Sequence, residues 1–472
     1  MTTVIVKEVY LNNDTFTNNQ IIEEVDCDYA IWENNSMDNA FNACTNLIRC
    51  NNFNDNTTSL YAAFRNCPNL IEVSELPTNA ESIQDIFHYC SNLVNIPSIP
   101  NSVTNLHLSF SGSGVVNAPV IPNGVTNMYS TFHKCYNLVN APVIPNSVVD
   151  MSYTFSQCSN LVNAPTVPNS VNYMQNTFAG CSKLVNAPVI GNSVMYMQYT
   201  FANCYNLVNA PVIPNSVTVM YSIFSNCYNL VNAPVIPNSV KSLIGAFYQC
   251  SNLVNAPVIP NSVMYMNNSF MVCSNLVNAP DIPDSVYDIS WVFCHCWNLV
   301  NAPVIGNSVT NMYSTFNYCN KLVNAPVIPN SVVHMGWTFG YCSNLVNAPE
   351  IPNSVINMVN TFWMCSNLTG NIYIHSENIT NAINCFYGTY LTKNVYIPFT
   401  YENGVNTKTY NAFISAGYTT NGTRNGVYLI DYDPYSPIVE VNVADYRYDL
   451  QGYTVFLKTY IGDDEEINIP NI

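Results

Sequence analysis

Residues 138–161 read LVNAPVIPNSVVDMSYTFSQCSNL, and close copies of this stretch fill most of the 472-residue chain. The tripeptide Asn-Ala-Pro occurs eleven times at a constant step of 23 residues, from Asn117 to Asn347. Fourteen cysteines between Cys44 and Cys365 keep the same step, with one interruption at Ser113, where a residue is deleted. Strict self-similarity at this period is the signature of stacked repeats, so the repeat decides the fold.

The second half of each copy predicts a short helix. In the quoted stretch, Val148, Met151 and Phe155 follow one another at steps of three and four, and a cysteine and a leucine continue the series. This spacing is typical of one helical face. Asn146 and Ser147 come directly before it, and both are residue types that accept hydrogen bonds from the first turn of a helix. The pattern therefore predicts a helix or 3₁₀ segment that begins after Ser147.

The first half of each copy predicts a short strand. The stretch before the predicted helix places Leu138, Ala141 and Val143 on the same side of the chain. Pro142 and Pro145 cannot donate to a sheet, which limits the strand to about three or four residues.

One such unit cannot bury its own apolar face, so the copies must stack. We therefore predict an α/β repeat solenoid: a horseshoe or curved rod with one narrow parallel sheet, and with short helices or 3₁₀ turns on the other face. At about 4.8 Å between neighbouring strands, about 15 coils would extend for about 70 Å.

The segment Phe155-x-x-Cys158-x-x-Leu161, preceded by Val-x-x-Met and followed by Ile-Pro, resembles the BspA-like branch of the leucine-rich repeat proteins. Repeats of that branch also have 23 residues, with Phe, Cys and Leu at these offsets. The resemblance spans residues 40–370, and the Ala-Pro inside the strand departs from the family's usual Ile and β-former. The resemblance implies surface recognition, such as adhesion to host proteins or cells.

The two ends of the chain differ from the array. Residues 1–40 are acidic and irregular, and we expect them to form an N-terminal cap on the leucine-rich repeat array of residues 41–370. In residues 371–437 the pattern decays, which indicates degenerate last coils and a C-terminal cap. Residues 438–472 alternate apolar and polar positions and predict a small β module.

Composition excludes several classes of function. The chain has 29 acids, 12 bases and a net charge of −17, which argues against a nucleic-acid partner. No apolar run approaches the roughly 20 residues of a membrane span, so membrane insertion is not expected. Residues 1–16 hold no apolar core of a cleavable secretion signal. Residues 86–365 contain only 5 acids and 4 bases, so uncharged polar residues must keep the array soluble.

The cysteines and histidines do not indicate an active site. The phased cysteines predict a buried column of small apolar side chains that are reduced rather than paired. Cys294-His295-Cys296 is a tight cluster, but a closed zinc site needs four converging ligands, and we predict no metal site there. The six histidines lie in separate coils, and no nucleophile, base and acid can be assembled. We expect no enzymatic activity and no cofactor.

Two columns of asparagine, represented by Asn137 and Asn140, could be read as a glycan-binding ladder. We expect them instead to bond backbone groups that the turns leave unpaired.

The informative positions are those that differ between copies, because the NLVNAPVIPNSV segment hardly changes. They are rich in Tyr and Trp, which binding loops use for contact area at low entropic cost. The candidate ligand-binding residues are Tyr129, Tyr153, Tyr173, Tyr196, Tyr199, Tyr221, Trp291, Tyr313, Trp337, Tyr341 and Trp363.

These residues favour a recognition protein that binds a protein or glycan on a cell. Two versions fit: a bacteriophage receptor-binding or decoration protein, extracellular or on the virion surface after release without a signal, or a bacterial surface adhesin whose leader is missing. The alternative is a structural spacer rod that holds the terminal modules apart. No pattern in the sequence predicts an oligomeric state.

Overall fold

A computed structural model of the chain describes residues 3–11, 14–400, 405–422, 424–432, 446–451 and 454–460. It divides into a long unit, Met1–Asp431, and a short unit, Tyr432–Ile472.

The long unit begins with a parallel sheet. Its strands are β1 (Thr3–Leu11), β2 (Glu24–Trp32), β3 (Arg49–Asn51) and β4 (Glu72–Val73), in that order across the sheet. A single 3₁₀ turn, Glu33–Asn35, follows β2. The segment predicted to be an irregular cap therefore contains two regular strands of nine residues each.

The long unit ends with a second parallel sheet of β5 (Gly370–Tyr373), β6 (Lys393–Ile397) and β7 (Val427–Asp431). The helix α1 (Lys408–Ser415) lies between β6 and β7 in sequence. Thr407 caps it by accepting a hydrogen bond from the Tyr410 N–H at 3.0 Å.

The segment containing α1 closes the open end of the core. The buried Tyr418 packs its ring against Phe386, and its hydroxyl accepts the Phe386 N–H at 2.8 Å. Thr409 Oγ1 accepts the Ile379 N–H at 3.0 Å. In the array the phenylalanine N–H donates to the following coil, as the Phe362 N–H does to the Cys385 carbonyl at 2.8 Å, so the Tyr418 hydroxyl replaces the coil that is missing.

In the short unit, β8 (Tyr446–Gln451) and β9 (Thr454–Tyr460) pair as an antiparallel hairpin. The remainder of the segment predicted to form a β module lies outside the described residues.

Residues 74–369, all of which the structure describes, contain neither a helix nor a regular strand. Neighbouring coils are joined by isolated parallel bridges, most of which fall in two columns. Asn140 bridges Asn117 and Asn163 in one column, and Asp150 bridges its counterparts in the other. The prediction of a solenoid with parallel pairing is confirmed, but the sheet is reduced to isolated bridges.

The predicted helix is wrong, because the segment from Met151 to Cys158 is a series of turns. The Thr154 N–H donates to the Met151 carbonyl at 3.0 Å, whereas the Phe155 N–H donates to the Thr177 carbonyl of the next coil at 2.9 Å. Backbone N–H groups of the segment therefore alternate between acceptors in their own coil and acceptors in the next coil.

Left-handed residues prevent the helix. Tyr153 has φ 58° and Gln157 has φ 64°, a region that a continuous right-handed helix cannot contain. The expected N-cap is also wrong, since the Ser147 hydroxyl donates to the Val125 carbonyl of the preceding coil at 2.6 Å. The same spacing of apolar residues arises because each turn returns one side chain to the core.

A continuous stack of phenylalanine rings forms the centre of the core. It runs from Phe16 to Phe386, with neighbouring ring centroids 5.3 to 6.3 Å apart. Offset aromatic stacking adds to the burial of these rings. Because Phe16 stacks on Phe41, the repeating core begins before residue 40.

The cysteine column lies beside this stack, and its thiols serve as donors. Every phased cysteine donates from Sγ to the phenylalanine carbonyl of the preceding coil; Cys158 donates to Phe132 at 3.0 Å. Threonine hydroxyls also donate to carbonyls of the preceding coil. The Thr154 hydroxyl, for example, donates to the Met128 carbonyl at 2.7 Å. Cysteine therefore fills a small apolar site and also satisfies a buried acceptor.

All 18 cysteines are free and buried, and we expect none to react with Ellman's reagent in the native protein at mildly alkaline pH. Burial raises the pKa of the Cys90 thiol to about 12, so the reactive thiolate is scarce at such a pH. Titration before and after denaturation measures this, and Ile21→Cys, at a position 71% exposed and outside the Asn-Ala-Pro side, supplies a control thiol that reacts at once. Rapid labelling of the unmodified native chain would contradict the buried column.

The Asn-Ala-Pro side of the coil differs from the prediction in two respects. Val143 does not share a side with the buried Leu138, because its side chain is 87% exposed and Ile144 enters the core instead. The asparagines of the two columns also bond mainly to one another: the side-chain amide of Asn209 donates to Oδ1 of Asn186 at 3.0 Å. Identical side chains one coil apart satisfy each other, which removes the need for backbone partners.

Candidate recognition surface

The variable positions lie on one side of the coil, which we call the turn face. It comprises, in each coil, the residues from the one before the methionine to the one before the cysteine; in the quoted coil these are residues 150–157. Met151, Thr154 and Phe155 of this segment point into the core, whereas Asp150 and Tyr153 reach solvent. The left-handed turns thus fix a rigid backbone from which the variable side chains project.

The structure brings ten of the eleven predicted binding residues together as five ring pairs, each joining adjacent coils. The centroid distances range from 5.1 to 5.6 Å, which is contact distance for aromatic side chains. The pairs are Tyr129 with Tyr153, Tyr173 with Tyr196, Tyr199 with Tyr221, Trp291 with Tyr313, and Trp337 with Trp363.

The eleventh residue, Tyr341, stacks on Tyr318 at 4.2 Å, and Tyr318 stacks on His295 at 4.3 Å. Trp363 likewise continues to Tyr387 at 4.3 Å. Sequence reasoning missed His295, Tyr318 and Tyr387. An alignment of coils at 23-residue steps would have found them, because each stands one or two residues after the phenylalanine of its coil.

A glycine shapes the turn face beside Trp337. A Cβ atom on Gly340 would lie 2.9 Å from Asn317 Oδ1 and 3.0 Å from Cε3 of Trp337. Glycine at this position therefore lets the indole approach the backbone of its own coil. Any larger residue would displace the ring.

Three titratable side chains of the turn face have pKa values that favour their neutral form. The hydrogen bond with Tyr221, followed by burial, raises the pKa of Tyr199 to about 12. Burial lowers the pKa of His133, helped by the nearby Lys134, and burial also lowers the pKa of His295. Tyr199 stays protonated and these two histidines stay neutral at neutral pH, so they offer ring faces and hydrogen bonds rather than charge.

In the part of the chain that the structure describes, no three His, Cys, Asp or Glu side chains gather as metal ligands do. No described helix has the length and apolar character needed to cross a bilayer.

The sequence matches the BspA-type leucine-rich repeat region, a family described with six copies of the repeat, at residues 10–139, 106–231, 224–346 and 290–416. The chain belongs to this family. Proteins of this type are typically found at cell surfaces or outside cells, and they are generally not enzymes. The resemblance inferred from the Phe, Cys and Leu spacing is therefore confirmed.

Among solved structures, the chain is similar to a leucine-rich repeat protein from Bacteroides ovatus, with 18% identity, a TM-score of 0.53, and coverage of 91% of this chain and 92% of that one. It is also similar to a leucine-rich cell surface protein from Faecalibacterium prausnitzii, with 19% identity, a TM-score of 0.37, and coverage of 64% and 87%. A comparison with curated proteins gave no match. The similarity to the Bacteroides ovatus protein supports the solenoid fold.

Proposed function

We propose that this protein is a non-enzymatic recognition protein that binds a protein or glycan on a cell surface through the aromatic residues of the turn face. The observation that carries the proposal is the pairing of variable Tyr and Trp side chains from adjacent coils. Paired rings on a rigid backbone present a broad apolar surface with hydroxyl and indole donors at its edges. Such a surface loses little conformational entropy on binding.

The charge distribution supports recognition by stacking and hydrogen bonding. Residues 86–365 carry 5 acids and 4 bases, and the titratable groups with shifted pKa values on the turn face are held neutral. Attraction between unlike charges would weaken steeply as salt screens it. Binding by the turn face should therefore change little with ionic strength.

Two biological settings fit this proposal. The protein acts either as a bacterial surface adhesin or as a bacteriophage receptor-binding or decoration protein, and in both it works outside the cell. The family's typical location supports an exterior role. The competing function is a spacer rod, which the interlocked core would also serve.

Replacing the eleven candidate Tyr and Trp residues by Ser should abolish saturable binding to target cells or to a glycan array. The expected cause is the loss of the paired rings rather than unfolding, because these side chains are not part of the central phenylalanine stack. A matched control replaces four exposed aromatic residues outside the turn face, each directly after the cysteine of its coil: Tyr136, Tyr205, Tyr228 and Trp297. The control should bind as the unmodified chain does.

Two results would support the spacer function instead. One is a folded, monodisperse protein that binds no cell and no glycan. The other is a function that is lost when two whole coils are removed but is kept when the aromatic residues are changed.

A further inference from the structure

The exposed valines of the Asn-Ala-Pro side form a second surface, independent of the turn face. The residue after the proline of each Asn-Ala-Pro is valine in eight of eleven coils, and these valines are 71 to 88% exposed. We call this column the valine ridge; its members are Val120, Val143, Val189, Val212, Val235, Val258, Val304 and Val327.

The ridge is large enough to support a stable interface. Burying one valine is worth about 2 kcal/mol at about 25 cal/mol/Å², which corresponds to about 80 Å². Eight largely exposed valines therefore present roughly 600 Å² of apolar surface. A standard interface buries about 800 Å² per partner, of which about 65% is apolar in homodimers. Patches above roughly 300–600 Å² on a soluble protein commonly mark a contact surface.

The interruptions of the ridge indicate what covers it. Including Ser98 in the coil before the first Asn-Ala-Pro, the column reads Ser, Val, Val, Thr, Val, Val, Val, Val, Asp, Val, Val, Glu from residue 98 to Glu350. Its polar residues occupy positions 1, 4, 9 and 12 of the twelve. When the column is read in reverse, polar residues again occupy these four positions. A twofold axis between Val212 and Val235 thus places every valine opposite a valine.

The same axis places each carboxylate opposite a hydroxyl group. Asp281 faces Thr166, and Glu350 faces Ser98, in both halves of the pair. All four residues are exposed. A furrow of about 350 Å³ lies at Thr166, lined by Asn140, Ala141 and Asn163 among others, where the partner's Asp281 would arrive. No pair of like charges meets in this register.

We propose that a second copy of this chain docks antiparallel on the valine ridge, with the twofold axis between the coils of Val212 and Val235. An isologous interface requires a surface that is complementary to itself after a twofold rotation, and the ridge meets this condition. A copy of this chain matches the ridge at every coil from Ser98 to Glu350. Residues 86–365, which contain the ridge, carry almost no net charge, so little repulsion acts along the ridge itself.

Sedimentation velocity of the full chain over a wide concentration range tests the proposal, and we expect a monomer–dimer equilibrium. The double variant Val212→Asp and Val235→Asp should weaken the dimer by at least about a hundredfold, because it sets carboxylates against each other at the axis. The variant with eleven Ser on the turn face should dimerise normally, which separates this proposal from the proposed binding function.

A matched pair at Thr166 tests the register. Thr166→Lys meets the partner's Asp281 and should tighten the dimer up to about tenfold, whereas Thr166→Asp should weaken it by a similar factor. In a parallel packing, residue 166 would face its own copy, and both variants would weaken the dimer. That result overturns the antiparallel register. A strictly monomeric chain, or a dimer indifferent to the double Asp variant, overturns the docking surface itself.

Discussion

Phe201→Ala is expected to lower the free energy of unfolding of the long unit by about 3–5 kcal/mol. The Phe201 ring is fully buried, and its centroid lies 5.6 Å from those of Phe178 and Phe224. Its removal leaves a cavity in the middle of a stack that otherwise runs through every coil. In a solenoid each coil is stabilised by its two neighbours, so two coil interfaces weaken at once. Urea denaturation monitored by far-ultraviolet circular dichroism measures the loss.

The control for this prediction is Tyr205→Ala in the same coil. Tyr205 stacks on Tyr228 at 5.2 Å, but its side chain is exposed, so its replacement should change the unfolding free energy by less than about 1 kcal/mol. Equal effects of the two variants would show that the phenylalanine stack does not hold the coils together.

Asn176→Pro is expected to disrupt its coil and to cost about 3 kcal/mol or more. Asn176 has φ 56°, which a proline ring cannot adopt, and its N–H donates to the Gln198 carbonyl of the next coil at 2.9 Å. Proline would remove the donor and force the turn to open. The melting temperature should fall, and amide hydrogen exchange should accelerate in the coils on either side.

Asn176→Gly separates the two causes. Glycine keeps the N–H and adopts positive φ without strain, so we expect a change within about 1 kcal/mol. A glycine variant as unstable as the proline variant would show that the Asn176 side chain, and not the positive φ or the N–H, stabilises this coil.

The repeat made much of the core predictable. A 23-residue step with Phe155 and Cys158 in fixed phase identifies the buried columns without knowledge of the backbone, because every coil must present the same residues inward. The same residues misled the prediction of local structure. Apolar spacing of three and four is shared by a helix and by a coil of successive turns, and the left-handed φ of Tyr153 leaves no clear mark in sequence, since tyrosine is not a typical residue for that region.

The outward-facing residues were predicted unevenly. Tyr129 and Tyr153 were recognised as candidates, but their contact depends on the register of adjacent coils, which spacing within a single coil does not give. The outward direction of Val143 was missed because a strand was predicted for a segment that forms only one bridge. Pro142 interrupts the strand, and Ile144 takes the inward place.

The identity of the contacts between successive coils has a genetic consequence. Because one coil meets the next through the same stacked ring, thiol and bridge throughout the array, unequal recombination that inserts or deletes a whole coil would leave the core intact. Length is therefore free to vary among descendants of one gene. In the proposed dimer, a ridge that reads alike in both directions restricts this freedom, since a coil added between Thr166 and Asp281 of only one partner would displace a carboxylate from its hydroxyl partner. Rods of equal length would pair best, so that chain length itself would become a means of recognising self.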